Sequence, residues 1–119
     1  MTRQKIIDFC LSQAFSYEDY PFDKPNDVNR WTVMRHSINK KSFALIYEKD
    51  GGIWINLKCE SVEADFLRRT FRGVIPGFHM NKTHWNTVVI DENCDVPEEE
   101  IKRMIMSSYN LIKPKEKGL

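Results

Sequence analysis

Cysteine is sparse in this 119-residue chain and badly spaced for cross-linking. Cys10, Cys59 and Cys94 are odd in number, lie far apart and form no CxxC pair. That excludes a disulfide framework and a zinc cluster of the usual spacing, and leaves reduced thiols as the expectation. Glycine is scarce too: the five glycines form neither GxGxxG nor a Walker loop, and there is no GxSxG elbow, so no phosphate cradle or activated serine is indicated. No apolar run approaches the roughly 18 residues that span a bilayer, and MTRQKIIDFC reads as an amphipathic helix start without a cleavable signal. The expectation is a soluble, cytoplasmic protein with no membrane partner. Internal repeats and low-complexity segments are absent. Net charge is only +1, whereas nucleic-acid-binding domains are usually distinctly basic.

What is present fits one globular unit. Hydrophobic residues make up 41% of the chain, enough for a single core, so we assign one domain to 1–112 and a charged tail to 113–119. The charge is segregated. Residues 28–90 carry ten Lys/Arg against five Asp/Glu, residues 1–27 three against five, and residues 91–119 five against seven. A central positive field of this size can attract an anionic partner at low salt.

Ile6, Ile7, Cys10, Leu11 and Ala14 recur at helical spacing behind Thr2, an N-cap residue. Residues 15–29, with Pro21, Pro25, Asn26 and Asp27, read as an irregular connection. Strands are predicted over 30–36, 42–49, 53–59 and 85–90, with a tight hairpin at Asp50, Gly51 and Gly52. In the third strand, alternation sends Ile53, Ile55, Leu57 and Cys59 to the core and Trp54, Asn56 and Lys58 to the other face. Ser61 is placed as the cap of a helix over 62–72, with Val62, Phe66, Leu67 and Phe71 inward and Arg68 and Arg72 outward, ending at Gly73. A last helix begins near 95–97 and buries Ile101, Met104, Ile105 and Ser108. The order α-β-β-β-α-β-α predicts an α+β two-layer sandwich: an antiparallel or mixed sheet with its helices on one face and the other face open.

The densest polar stretch is VIPGFHMNKTHWNTVVI, residues 74–90. His79 and His84 are five apart, which puts them about 140° apart on a helix and on opposite faces of a strand, so no metal site is expected. No catalytic set and no cofactor motif is found. Asn81, Lys82, His84 and Asn86 offer several donors on a short segment, and Lys58, Arg35, Arg68 and Arg72 can add positive charge. Such groups hold phosphate oxygens, and Asn and Lys also read base edges. Trp54 and Trp85 are candidates to stack on a flat ligand, although Trp85 fits the core better.

Tyr20-Pro21-Phe22, Phe43-Ala44-Leu45, Ile55-Asn56-Leu57-Lys58-Cys59, Pro76-Gly77-Phe78-His79-Met80-Asn81-Lys82, His84-Trp85-Asn86-Thr87-Val88, Pro97 and Ser108-Tyr109 occur in that order. Together they resemble the MmcQ/YjbR family over nearly the whole chain. The resemblance implies a CyaY-like fold and a DNA-binding role proposed to use two β-hairpin wings, here the Ser37 to Lys41 connection and the Asp50 hairpin. Phe78 stands where the family commonly has tyrosine, and Asp23 where glycine often follows Pro-Phe. The leading expectation is therefore a bacterial, non-catalytic DNA-binding module. It contacts DNA through Lys58, His79, Asn81, Lys82, His84 and Asn86, with phosphate contacts from Arg35, Lys40, Lys41, Arg68 and Arg72. The alternative is a small-molecule or protein interaction domain, chaperone-like, in which the His79 to Asn86 motif lines a pocket or braces the fold.

Overall fold

Thr2 caps the first helix, its hydroxyl accepting the Lys5 amide at 3.2 Å, so the donors of the first turn are satisfied as the sequence predicts. The computed structural model describes residues 1–22 and 30–115. Asp23, Pro25, Asn26, Asp27 and the end of the tail, 116–119, lie outside the described residues. In chain order the elements are α1 (Arg3–Leu11), β1 (Ser16–Asp19), β2 (Thr32–His36), β3 (Ser42–Lys49), β4 (Gly52–Lys58), α2 (Ser61–Thr70), β5 (Val74–Pro76), β6 (Trp85–Ile90) and α3 (Glu98–Ile112). The strands form one sheet in the order β1-β2-β3-β4-β6-β5, and all five pairings are antiparallel.

The α+β order read from the sequence is present, with two short strands added. β1 falls inside the stretch read as irregular: its four residues pair with β2 from Ser16 opposite His36 to Asp19 opposite Val33. β5 contributes three residues to the opposite edge, against β6. Asp50 and Gly51 turn β3 into β4 with both φ positive, at 51° and 77°, the conformation a two-residue hairpin needs.

The helices cover one sheet face. Ile6, Ile7 and Cys10 of α1 and Ile101, Met104 and Ile105 of α3 join Met34, Ala44, Ile46, Ile55, Leu57 and Val88 in the core. Ser108, fully buried on α3, ties that helix to two strands: its hydroxyl accepts the Lys58 amide at 2.9 Å and donates to the Phe43 carbonyl at 2.6 Å.

α2 departs from expectation in phase and ends. Glu60, not Ser61, holds the N-cap position, and no side chain caps it. The helix stops at Thr70. Val62 and Phe66, predicted inward, are 76% and 64% exposed, whereas Ala64 and Leu67 are buried. The reason is position: α2 packs beside β5 and β6 at the sheet edge, so a narrow strip of small and medium side chains meets the core. Asp95 then ties the exit of α2 to the start of the last helix, its carboxylate accepting the amides of Gly73 and Arg72, each at 2.8 Å. These bonds, Gly73's first, hold its carboxyl below the usual range. No helix among the described residues is long and apolar enough to cross a membrane.

Burial pushes the Cys10 thiol up from 9.0 to about 12 and the Cys59 thiol, also raised by the Glu63 carboxylate, to about 11. Above pH 9 the unfolded chain loses protons that the native chain keeps, so stability falls as pH rises from about 9 towards 12. Thermal melts through that window should show a progressive loss that Cys10→Ala makes shallower. Equal slopes for the two proteins would contradict this.

Candidate functional site

On the helix-free face, register and alternation line up Val33, Leu45, Tyr47, Trp54, Asn56 and Thr87. Over part of this surface runs the segment 77–84, between β5 and β6. It starts where only glycine fits: a Cβ on Gly77 would lie 2.8 Å from both Cβ and the carbonyl oxygen of Trp85, and the Gly77 amide donates to that same carbonyl at 2.9 Å. Phe78 is clamped at both its backbone groups. Its amide donates to Thr87 Oγ1 at 2.9 Å, and its carbonyl accepts Asn56 Nδ2 at 2.8 Å. Asn56 Oδ1 in turn accepts the hydroxyls of Thr87 at 2.6 Å and Tyr47 at 3.1 Å. Burial lifts the Tyr47 phenol to about 12, which keeps it a neutral donor to Asn56 across the ordinary pH range. Asn56, expected towards solvent, is 0% exposed because this segment lies over it.

A second clamp holds the far end. Arg68, expected outward, turns in from α2: Nε donates to Asn86 Oδ1 at 2.6 Å and a terminal nitrogen donates to the Lys82 carbonyl. Asn86 Nδ2 donates to the Ala64 carbonyl at 3.1 Å. The Lys82 ammonium reaches back to the Gly77 carbonyl at 3.0 Å, and Asn81 Oδ1 accepts the Thr83 amide at 2.9 Å. His84 donates its amide to the Asn81 carbonyl and accepts the Cys59 amide at 2.8 Å. Between the clamps stand His79, with φ of 60°, and Met80.

His79 and Met80 line a groove of about 270 Å³ together with Phe22, Trp31 and Leu45. The rings continue beyond it. Trp31 stacks on Tyr47 with centroids 3.9 Å apart and planes 7° from parallel, Phe22 meets Trp31 edge-on at 6.1 Å, and the Trp31 and His79 centroids are 6.4 Å apart. Drug-sized ligands occupy roughly 300 to 1,000 Å³, so this groove suits a single ring system or side chain. Apart from His79, the described residues of its lining carry no titratable side chain. Met80 lies in the motif beside His79, but the motif's spacing gave no sign of Phe22, Trp31 or Leu45, which come from distant segments. The open sheet face predicted from element order was the available signal.

The residues proposed for DNA contact are dispersed. Asn86, only 2% exposed, has both amide atoms occupied and cannot read a base while the fold is intact. Arg68 is committed to the second clamp. Arg35 pairs with Asp19 at 2.7 Å, and Arg72 lies 3.9 Å from Asp95. Lys58 is half-buried on the helix-free face; His79, Asn81, Lys82 and His84 are exposed on the segment, and Lys40 and Lys41 on the β2–β3 turn. The two hairpins read as wings sit at opposite ends of β3, about 25 Å apart at strand rise. Trp85 is half-buried rather than in the core. Among the described residues no three His, Cys, Asp or Glu side chains gather to hold a metal ion.

A family model described as YjbR matches residues 11–111. The chain is 36% identical to the uncharacterised protein YyaQ of Bacillus subtilis, over 95% of this chain and 99% of that one. It is 27% identical to the uncharacterised protein YjbR of Escherichia coli K12, over 98% and 94% respectively. A crystal structure of a Pseudomonas syringae protein superposes with a TM-score of 0.78 at 32% identity, covering 95% of this chain and all of that one. A Deinococcus radiodurans protein with a DUF419 domain superposes with the same score at 29% identity, covering 93% and 78%.

Proposed function

The chain belongs to the YjbR family, and from that premise we propose that it is a binding domain whose site is the groove on the helix-free sheet face, with a single planar ring as the recognised group. One observation carries this reading: an apolar groove of about 270 Å³ lined by Phe22, Trp31, Leu45, His79 and Met80, two of them on a segment clamped at both ends by buried hydrogen bonds. A flat ring gains dispersion and stacking against such walls, and a pre-ordered wall reduces the ordering cost of binding. The motif that drew attention in the sequence then serves chiefly to hold His79 and Met80 in place.

A fluorescent uncharged purine, 2-aminopurine free base, is a suitable probe. Wild-type protein should bind it saturably, and His79→Asn, which removes the ring but tolerates a positive φ, should weaken it about 3- to 10-fold. Non-saturating titration with wild type would reject the reading.

Contact of duplex DNA at the β2–β3 turn is a second reading, favoured by the exposed Lys40 and Lys41 and the ten-against-five excess of basic residues over 28–90. It predicts that Lys40→Gln with Lys41→Gln lowers the salt slope of duplex binding by about 2. An unchanged slope removes those lysines from the interface.

A further inference from the structure

One end of the molecule gathers apolar and basic side chains that the groove does not use. α1 and α3 both finish there and β2 turns into β3, and hydrogen bonds tie the three segments together. The Ser37 amide donates to the Phe15 carbonyl at 2.7 Å, Asn39 Nδ2 to the Ile112 carbonyl at 2.7 Å, and the Tyr109 hydroxyl to the Ala14 carbonyl at 2.5 Å. Residues 11–16, 37–42 and 110–115, which build this end, contain four lysines and no acid. Lys40, Lys41, Lys113 and Lys115 are all exposed, and none forms an ion pair among the described residues. Asp8 and Glu18, the acids that flank these segments in α1 and β1, bond to Gln4 and to the Tyr20 hydroxyl, both further from this end. The local field is therefore positive and unbalanced.

The same end is apolar at its tip. Phe15 and Ile38 are each 65% exposed, and four of the eight large hydrophobic side chains exposed among the described residues stand here. Single exposed apolar residues are ordinary, whereas their concentration marks an interaction surface. Phe15 also has φ of 62°, a conformation that costs a bulky side chain energy and that clusters at functional positions. Its ring touches that of His36, with centroids 5.7 Å apart, and is otherwise turned to solvent.

We infer that this end docks on the surface of an anionic lipid bilayer. Phe15 and Ile38 enter the boundary between headgroups and acyl chains, and the four lysines face the headgroup phosphates. Apolar burial and attraction to anionic lipid add in such a contact, which needs no spanning segment. Duplex DNA would supply phosphates to the same lysines but no apolar layer for Phe15 and Ile38, so the bilayer uses both halves of the surface. The groove shares none of these residues, and the inference stands apart from the ring-recognition reading.

The test is co-sedimentation with vesicles of phosphatidylcholine alone and of phosphatidylcholine with about one-third phosphatidylglycerol, at low and high salt. Wild type is compared with Phe15→Asn, which suits a positive φ, with Ile38→Ser, with Lys40→Gln plus Lys41→Gln, and with Phe66→Ser at an exposed apolar side chain of α2. Thermal melts first show that each is folded. Wild type should bind the anionic vesicles at least about 10-fold tighter than the neutral ones, and high salt should weaken that binding. Phe15→Asn and Ile38→Ser should each lose about 5- to 30-fold, the double lysine variant about 10- to 30-fold, and Phe66→Ser nothing. Equal affinity for the two vesicle types, no loss in Phe15→Asn and Ile38→Ser, or an equal loss in Phe66→Ser overturns the inference. If duplex DNA binds through Lys40 and Lys41 and the vesicles do not, the inference falls and the duplex reading of that turn stands; if neither binds, both fall.

Discussion

Asn56→Leu lowers the stability of this protein by about 3 to 5 kcal/mol, because leucine matches the side chain in size and abandons three hydrogen-bonding partners at once. Tyr47 and Thr87 lose the acceptor for their hydroxyls, and the Phe78 carbonyl loses its donor. Each buried orphan costs about 1 to 3 kcal/mol, and relaxation of the segment recovers part of the sum. In a domain of this size the melting temperature should fall by roughly 10 to 25 °C. Tyr47→Phe, which removes one hydroxyl and leaves Asn56 bonded to Thr87, should cost only about 1 kcal/mol. Thermal or urea melts of the two variants check the ratio. Equal small losses would mean that Asn56 does not organise the segment. Because Asn56 positions His79 through Phe78, its variant should also lose affinity for 2-aminopurine under conditions where the protein remains folded.

Trp31→Ala is the substitution with the largest expected effect on binding. Stacking of a base on an aromatic side chain contributes about 1 to 3 kcal/mol, which corresponds to a loss of about 5- to 150-fold in affinity for the free base. Trp31 also covers Tyr47, itself only 2% exposed, so truncation should cost about 1.5 to 3 kcal/mol of stability as well. The two effects separate through Trp31→Phe, which keeps a ring against Tyr47 and should retain most of the binding. Probe titrations of the three proteins below their melting transitions decide the matter. If Trp31→Ala binds like wild type, the groove is not the site.

The central strands were legible because they follow simple rules. β3 and β4 are joined by Asp50-Gly51 and rich in branched and aromatic residues. β1 and β5 were not: SYED is polar and VIP is three residues ending in proline, and both are edge strands defined by their neighbours rather than by their own pattern. The phase of α2 was misread for a related reason. Hydrophobicity favours Val62 and Phe66 as inward residues, but the helix docks on the sheet edge, where Ala64, Leu67 and the Arg68 bond to Asn86 set its rotation. Asn56 and Asn86 look in sequence like donors awaiting a ligand. Their partners, Phe78, Thr87, Arg68 and Ala64, are mostly remote in the chain, so only the fold identifies them as braces. The groove was illegible for the same reason, since Phe22, Trp31, Leu45 and Met80 meet only after the sheet forms.

Backbone and side-chain chemical-shift mapping during titration with 2-aminopurine addresses the central claim most directly. Saturable shifts concentrated at Phe22, Trp31, Leu45, His79 and Met80, with α2 and α3 unaffected, are the predicted result. Shifts centred on the helical face or on Lys40 and Lys41 alone, or none at all, would contradict it.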